Sequence, residues 1–193
     1  MTTTATPEIA TLTGRYQIDP THSRLGFVAR HAMVTKVRGQ FGAVDGVLNL
    51  DQEDPTRSSA EVTAQMASVS TGNDQRDEHL RGPDFFHVEE HPVMTFHSTA
   101  AELAGEDTFR LTGDLTIKGV TRPVTFDIEF TGAAKDPWGN LRTGFEGKAT
   151  INRKDWGLAW NVALEAGGIL VSEKVTIELD IAAVRIEEDA SAA

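Results

Sequence analysis

The sequence predicts an all-β protein, an extended antiparallel β-barrel with one or two short helices, on three observations. Apolar and polar residues alternate with period two in segment after segment, turn signals separate the segments, and no long stretch carries helical periodicity. Alternation begins at Arg24–His31, where Leu25, Phe27 and Ala29 share one face, and recurs in Ala60–Met66 with Ala60, Val62, Ala64 and Met66. Phe109–Ile117 alternates without a break, and Val124, Phe126, Ile128 and Phe130 follow after a connection over Lys118–Arg122 that suits a hairpin loop. The turn signal Asp136-Pro137-Trp138-Gly139-Asn140 precedes Thr143, Phe145, Gly147, Ala149 and Ile151, and the last strand carries Val175, Ile177, Leu179 and Ile181. Weaker runs cover Tyr16–Asp19, Val34–Phe41, Val44–Leu50 and Val93–Glu102, for about eight to ten strands in all. Asn73 is placed to cap a short helix over Asp74–Leu80, and Asp155–Glu165 is a second short segment.

One-sided strands joined by short turns give a sandwich or a barrel, and closure into a barrel removes the exposed edges that invite aggregation. The inward set mixes Phe and Leu with Ala29, Ala60, Ala64, Gly113, Gly147 and Ala149. Small inward residues leave space for a ligand; the alternative, that they interdigitate with large neighbours in a solid core, is equally compatible with the pattern.

At 193 residues the chain holds one domain, expected over 12–186, with flexible ends at 1–11 and 187–193. A net charge of -11 argues against nucleic acid and against simple electrostatic docking on anionic lipid. The absence of cysteine removes disulfides, thiolate nucleophiles and thiolate metal sites. The N-terminus has neither the basic nor the apolar region of a secretory signal, and no apolar run approaches the ~20 residues of a membrane span, so a cytoplasmic protein is expected.

Three constellations suggest chemistry. His87-Val-Glu-Glu-His91 matches an inverted zinc-peptidase pattern, but Pro92 and the strand after it leave no helix to present two histidines, so no metal is assigned. Asp19, His22 and Ser23 are the residue types of a hydrolase triad, yet crowded on one Pro20 turn they read as turn-capping groups. His31 ends an apolar strand face, and Asp77, His79 and Arg81 stand beside the pair Phe85-Phe86; these charged residues are expected to be solvated.

The chain resembles the YceI family, lipocalin-like proteins that bind polyisoprenoid or related long-chain lipids. The likeness runs through Tyr16–His31, Thr35–Phe41, Asp77–Phe86 with Pro92–Phe96, Leu115–Val124 and Asn152–Leu158. It implies a barrel around a lipid tunnel, with no catalytic centre and no cofactor beyond the bound lipid. Two departures stand out: relatives often carry a secretory signal, and Trp156 stands where they often have Phe, with Trp160 close by, so the tunnel is expected to suit a chain shorter than octaprenyl. The expected function is therefore non-catalytic carriage of a polyisoprenoid, quinone precursor or fatty-acid-like lipid. Phe27, Phe41, Phe85, Phe86, Phe96 and Trp160 are the expected walls, and His31 and His79 the expected polar contacts. The competing reading is a hydrolase or isomerase using His31 or His79 as base on a small apolar substrate. The expected partner is the lipid alone, without stable membrane insertion, with a homodimer left open.

Overall fold

The computed structural model describes residues 11–186. The ends expected to be flexible therefore lie, but for Thr11, outside the described residues. Eleven strands run in chain order: β1 Gly14–Ile18, β2 Arg24–His31, β3 Thr35–Phe41, β4 Val44–Leu50, β5 Ser59–Gln65, β6 Val69–Ser70, β7 Val93–Leu103, β8 Thr108–Ile117, β9 Val120–Lys135, β10 Leu141–Asn152 and β11 Lys174–Arg185. Among the described residues there is one α-helix, α1, over Asp74–Arg81.

Every pairing is antiparallel, and the ladder runs β1-β4-β5-β7-β8-β9-β10-β11 before returning to β1. Eight staves therefore close a barrel. Three of them are pairs of segments broken by a kink: β1 continues into β2, β3 into β4, and β5 into β6, and the lower segments extend the wall through the pairings of β2 with β11 and β3, and of β3 with β6. One-residue bulges at Thr99 and Thr131 shift the register within β7–β8 and β9–β10, which increases local twist and helps long strands coil round.

The alternation seen in the sequence is the inside-outside alternation of this wall. Leu115, Ile117, Val124 and Phe126 are buried while Asp114, Thr125 and Asp127 are exposed. The β8–β9 connection is tighter than the five-residue loop expected, because Lys118 and Gly119 both take the left-handed conformation (φ 51° and 73°) of a two-residue hairpin turn. The helix forms where expected, with the Asn73 side chain accepting from the Arg76 N–H. The second segment differs. Only a 3-10 turn over Arg153–Trp156 forms, ended by left-handed Gly157, and the chain then crosses the lower end of the barrel as an irregular loop. Arg153 explains that loop: 4% exposed, its guanidinium donates to the carbonyls of Leu158, Val171 and Ser172 and pins both ends of the crossing.

Candidate ligand-binding site

Two apolar clusters fill the barrel, an upper one around Tyr16, Ile18, Leu48, Leu141 and Ile181, and a larger lower one around Phe41, Met66, Ile117, Phe126 and Trp156. Between them the interior is open. A cavity of about 320 Å³ runs along the inner faces of β4, β5, β7, β8, β9 and β11. Its wall is almost wholly apolar, including Val62, Phe96, Leu111, Phe126, Ile128 and Leu179. The interior is thus not packed solid.

The space does not come from all the small inward residues. A Cβ at Gly113 would fall 2.5 Å from both the His97 carbonyl oxygen and Phe96 Cζ, so the ring of Phe96 already occupies the room that glycine leaves. Ala60 and Ala64 do border the cavity, together with Leu111 and Leu115, and their small side chains contribute to the open volume.

The mouth lies at the end formed by the β4–β5 loop and the β7–β8 turn. Phe109, Phe130 and Phe145 make its apolar collar, with the rings of Phe130 and Phe145 5.5 Å apart. Asp51, Gln52, Ser58, Glu106 and Asp107 supply its polar rim. Asp51 is held by N–H donation from Glu53 and Asp54, and Gln52 accepts from Leu12 N–H at 2.6 Å, tying the incoming chain across one side of the opening.

The opposite end is closed. Phe27, Phe41 and Phe86 form an aromatic chain with centroid spacings of 5.7 and 5.8 Å. Beside it His79, Phe85 and Trp160 pack as a trio at 4.7 to 5.4 Å, with the Arg153 guanidinium 5.9 Å above the Phe85 ring. Trp156, 2% exposed, donates its indole N–H to the Leu115 carbonyl and packs within the lower apolar cluster.

A model of the YceI-like domain matches residues 16–183. The chain belongs to the YceI-like family. Among YceI-like relatives, a UPF0312 protein of Staphylococcus epidermidis is 40% identical over 165 residues, which cover 85% of this chain and 94% of that one. The structure of a YCEI protein from Campylobacter jejuni superposes with a TM-score of 0.71 at 29% identity, covering 82% of this chain and 90% of that one. A polyisoprenoid-binding domain from Saccharophagus degradans shares the fold, with a TM-score of 0.67 at 17% identity over 89% of this chain and 98% of that one.

The segments that carry the YceI likeness are concentrated at the closed end. Of the residues expected to contact a ligand, Phe96 alone lines the cavity. Phe27, Phe41, Phe85, Phe86, His79 and Trp160 are brought together in the closing group, while His31 is exposed at the end of β2, bridged to Val171. His79 Nε2 lies 2.9 Å from Asp84 Oδ2, so its polar edge is turned to a neighbouring carboxylate. The expectation of solvated charges fails for Asp77, which is buried, whereas Arg81 stays partly exposed. Asp77, 5% exposed, accepts from the N–H and hydroxyl of Thr71, and Arg81 donates to the carbonyls of Ala67 and Val69. These bonds satisfy backbone groups where β5–β6 leaves the ladder, and they hold α1 over the barrel end.

The other constellations resolve into structure. His87 and His91 come within 6.2 Å on one turn, closer than an extended reading allows, but among the described residues no cluster of three metal-ligating side chains forms there or elsewhere. Asp19 accepts from Thr21, Arg142 and His22, and these bonds hold its carboxyl far below the usual carboxylate range. The Ser23 hydroxyl donates to the Ala182 carbonyl and accepts from the Ala182 N–H, so it splices the β1–β2 kink to β11 and is not activated by His22.

Proposed function

We propose that this protein binds one apolar or amphiphilic chain in the barrel cavity and carries it without chemical change. The observation that carries this reading is the apolar, 320 Å³ cavity with polar residues at one end of its lining, an arrangement that takes a hydrocarbon tail inside and leaves a head at the opening. Membership of the YceI-like family, and the description of a neighbour with the same fold as polyisoprenoid-binding, support a lipid such as an isoprenoid, a quinone precursor or a fatty-acid-like molecule. Phe96 is assigned to ligand contact. Phe27, Phe41, Phe86 and the His79–Phe85–Trp160 trio are assigned to the stop at the closed end. Burial of each methylene is worth about 0.8 kcal/mol, so a tail alone supplies affinity and recognition of the head is secondary.

Native mass spectrometry of protein purified from its own host, followed by organic extraction, tests the reading. A stoichiometric amphiphile is expected, and it should be absent from an Ala60→Phe variant, in which the new ring occupies open cavity while the fold keeps its thermal stability. An empty protein that also rejects added prenols and fatty alcohols would overturn it; turnover of the bound molecule would favour catalysis instead.

A further inference from the structure

The chain carries 29 acidic residues, yet none falls between Pro20 and Val44, a stretch that holds Arg24, Arg30, Lys36 and Arg38. That stretch is the β2–β3 hairpin. Because strand side chains alternate, all four basic residues stand on its outer face, and all four are exposed. Arg24 is offset by Asp180, its partner on β11. The lower three are not. Arg30 pairs directly with Lys36, a like-charge juxtaposition that weakens a ladder, and the Ser172 hydroxyl bridges the Arg30 N–H to the carbonyl of Lys174, bringing a fourth exposed cation alongside. None of Arg30, Lys36, Arg38 or Lys174 forms an ion pair among the described residues.

The tip of the same hairpin is apolar. Met33 and Val34 are 54% and 76% exposed, and Ala32 and Met33 hold left-handed backbone (φ 49° and 61°) that side-chain-bearing residues avoid. Ala32 N–H donates to the Leu170 carbonyl and Leu170 N–H to the Val162 carbonyl, which sets Val162, 46% exposed, at the same end. The left-handed pair closes the hairpin, with Val34 N–H donating to the His31 carbonyl, but closing it needs neither apolar side chains at the tip nor unpaired cations behind them in an acidic protein.

We propose that, although the net charge of -11 opposes docking by overall charge, the β2–β3 hairpin docks this protein on an anionic lipid surface through its local cations and apolar tip together, with Met33 and Val34 entering the interface and Arg30, Lys36, Arg38 and Lys174 meeting the headgroups. The small extent of the apolar tip favours a bilayer over a protein partner: a stable protein interface needs roughly 800 Å² of matched surface per side, whereas two exposed apolar side chains beside a group of cations suit a deformable phase. The hairpin lies at the barrel end opposite the cavity mouth, so docking leaves the mouth facing water. The surface stands independently of what fills the cavity.

Vesicle flotation of the full chain at low salt, with phosphatidylcholine alone and with phosphatidylglycerol added, tests the proposal. Binding is expected only to the anionic vesicles, and to vanish in high salt. Each basic side chain removed should cost roughly fivefold in partitioning, so Lys36→Glu with Arg38→Glu should lose at least ~25-fold. Thermal stability should hold or rise, because the Arg30–Lys36 repulsion is relieved. Arg110→Glu with Lys135→Glu, which changes net charge equally but lies elsewhere, should bind as the parent does. Met33→Ser with Val34→Ser should weaken binding at unchanged fold. Indifference of the parent to anionic vesicles, or equal losses in the two charge variants, would overturn the proposal. Equal binding to polyglutamate with no effect of the tip variant would overturn it in favour of an acidic protein partner.

Discussion

Phe96 and Gly113 show how one residue contact decides whether inward space is open or filled. The Phe96 ring lies over Gly113 and packs edge-on against Phe126 at 5.3 Å, so the pair completes the cavity wall where two small residues would have left a gap. Gly113→Ala puts a methyl against Phe96 and against the His97 carbonyl; the ring can shift, but the backbone oxygen cannot. A loss of about 1–3 kcal/mol is expected, the usual range for overpacking, read as a lower urea midpoint with an unchanged slope. Sequence alternation named Gly113 as inward, since period two reports the face of each position, and Phe96, in a weaker run, was expected as a wall residue. It could not report that one residue's bulk fills the next one's vacancy, because that depends on cross-strand register.

At the scale of elements, the kinks that bend the long staves are fixed by polar side chains. Asp19, at the β1–β2 kink, collects hydrogen bonds from Thr21, Arg142 and His22, and Arg142 of β10 also donates to Asp136 in the β9–β10 turn. Burial alone would raise the Asp136 carboxyl, but donation by Asn140, Arg142 and Trp138 outweighs it and brings it down to about 2. Both acids are therefore ionised in the fold at pH values where they would protonate in the unfolded chain. Their contribution to stability is complete above the unfolded value near 4 and is lost as pH falls through the depressed folded values. Asp19→Asn should accordingly lower stability at neutral pH and flatten the acid limb of the stability curve, measured by denaturant unfolding at a series of pH values. An acid limb as steep as the parent's would count against the network. The sequence made this turn legible as a capping turn and not a triad, because its three polar residues were too close together to converge from separate elements. The reach of Arg142 across 123 positions was not legible at all.

At the scale of the whole molecule, closure of the barrel was readable from the strand pattern, whereas the place of the cavity was not. The most distinctive sequence segments cluster around α1, β2–β3 and Trp156, where they stop one end of the barrel. The cavity is instead lined by alternating positions such as Leu111, Ile128 and Leu179, which the strand pattern placed on an apolar face but did not single out for ligand contact. Its size sets the last expectation. A dry apolar cavity of about 150 Å³ accepts benzene, so 320 Å³ accommodates roughly twice as many carbons, about 12, before the tail meets the packed region around Trp156. Across a series of linear alcohols, affinity should rise about fourfold per added methylene while the tail still finds cavity, then level off near that length as further carbons remain in water at the mouth. Isothermal titration or displacement of a fluorescent fatty probe would trace the curve. Trp156→Ala should move the break to longer chains if the indole is the stop, and affinity that climbs without a break past ~20 carbons would mean that the closed end opens on binding.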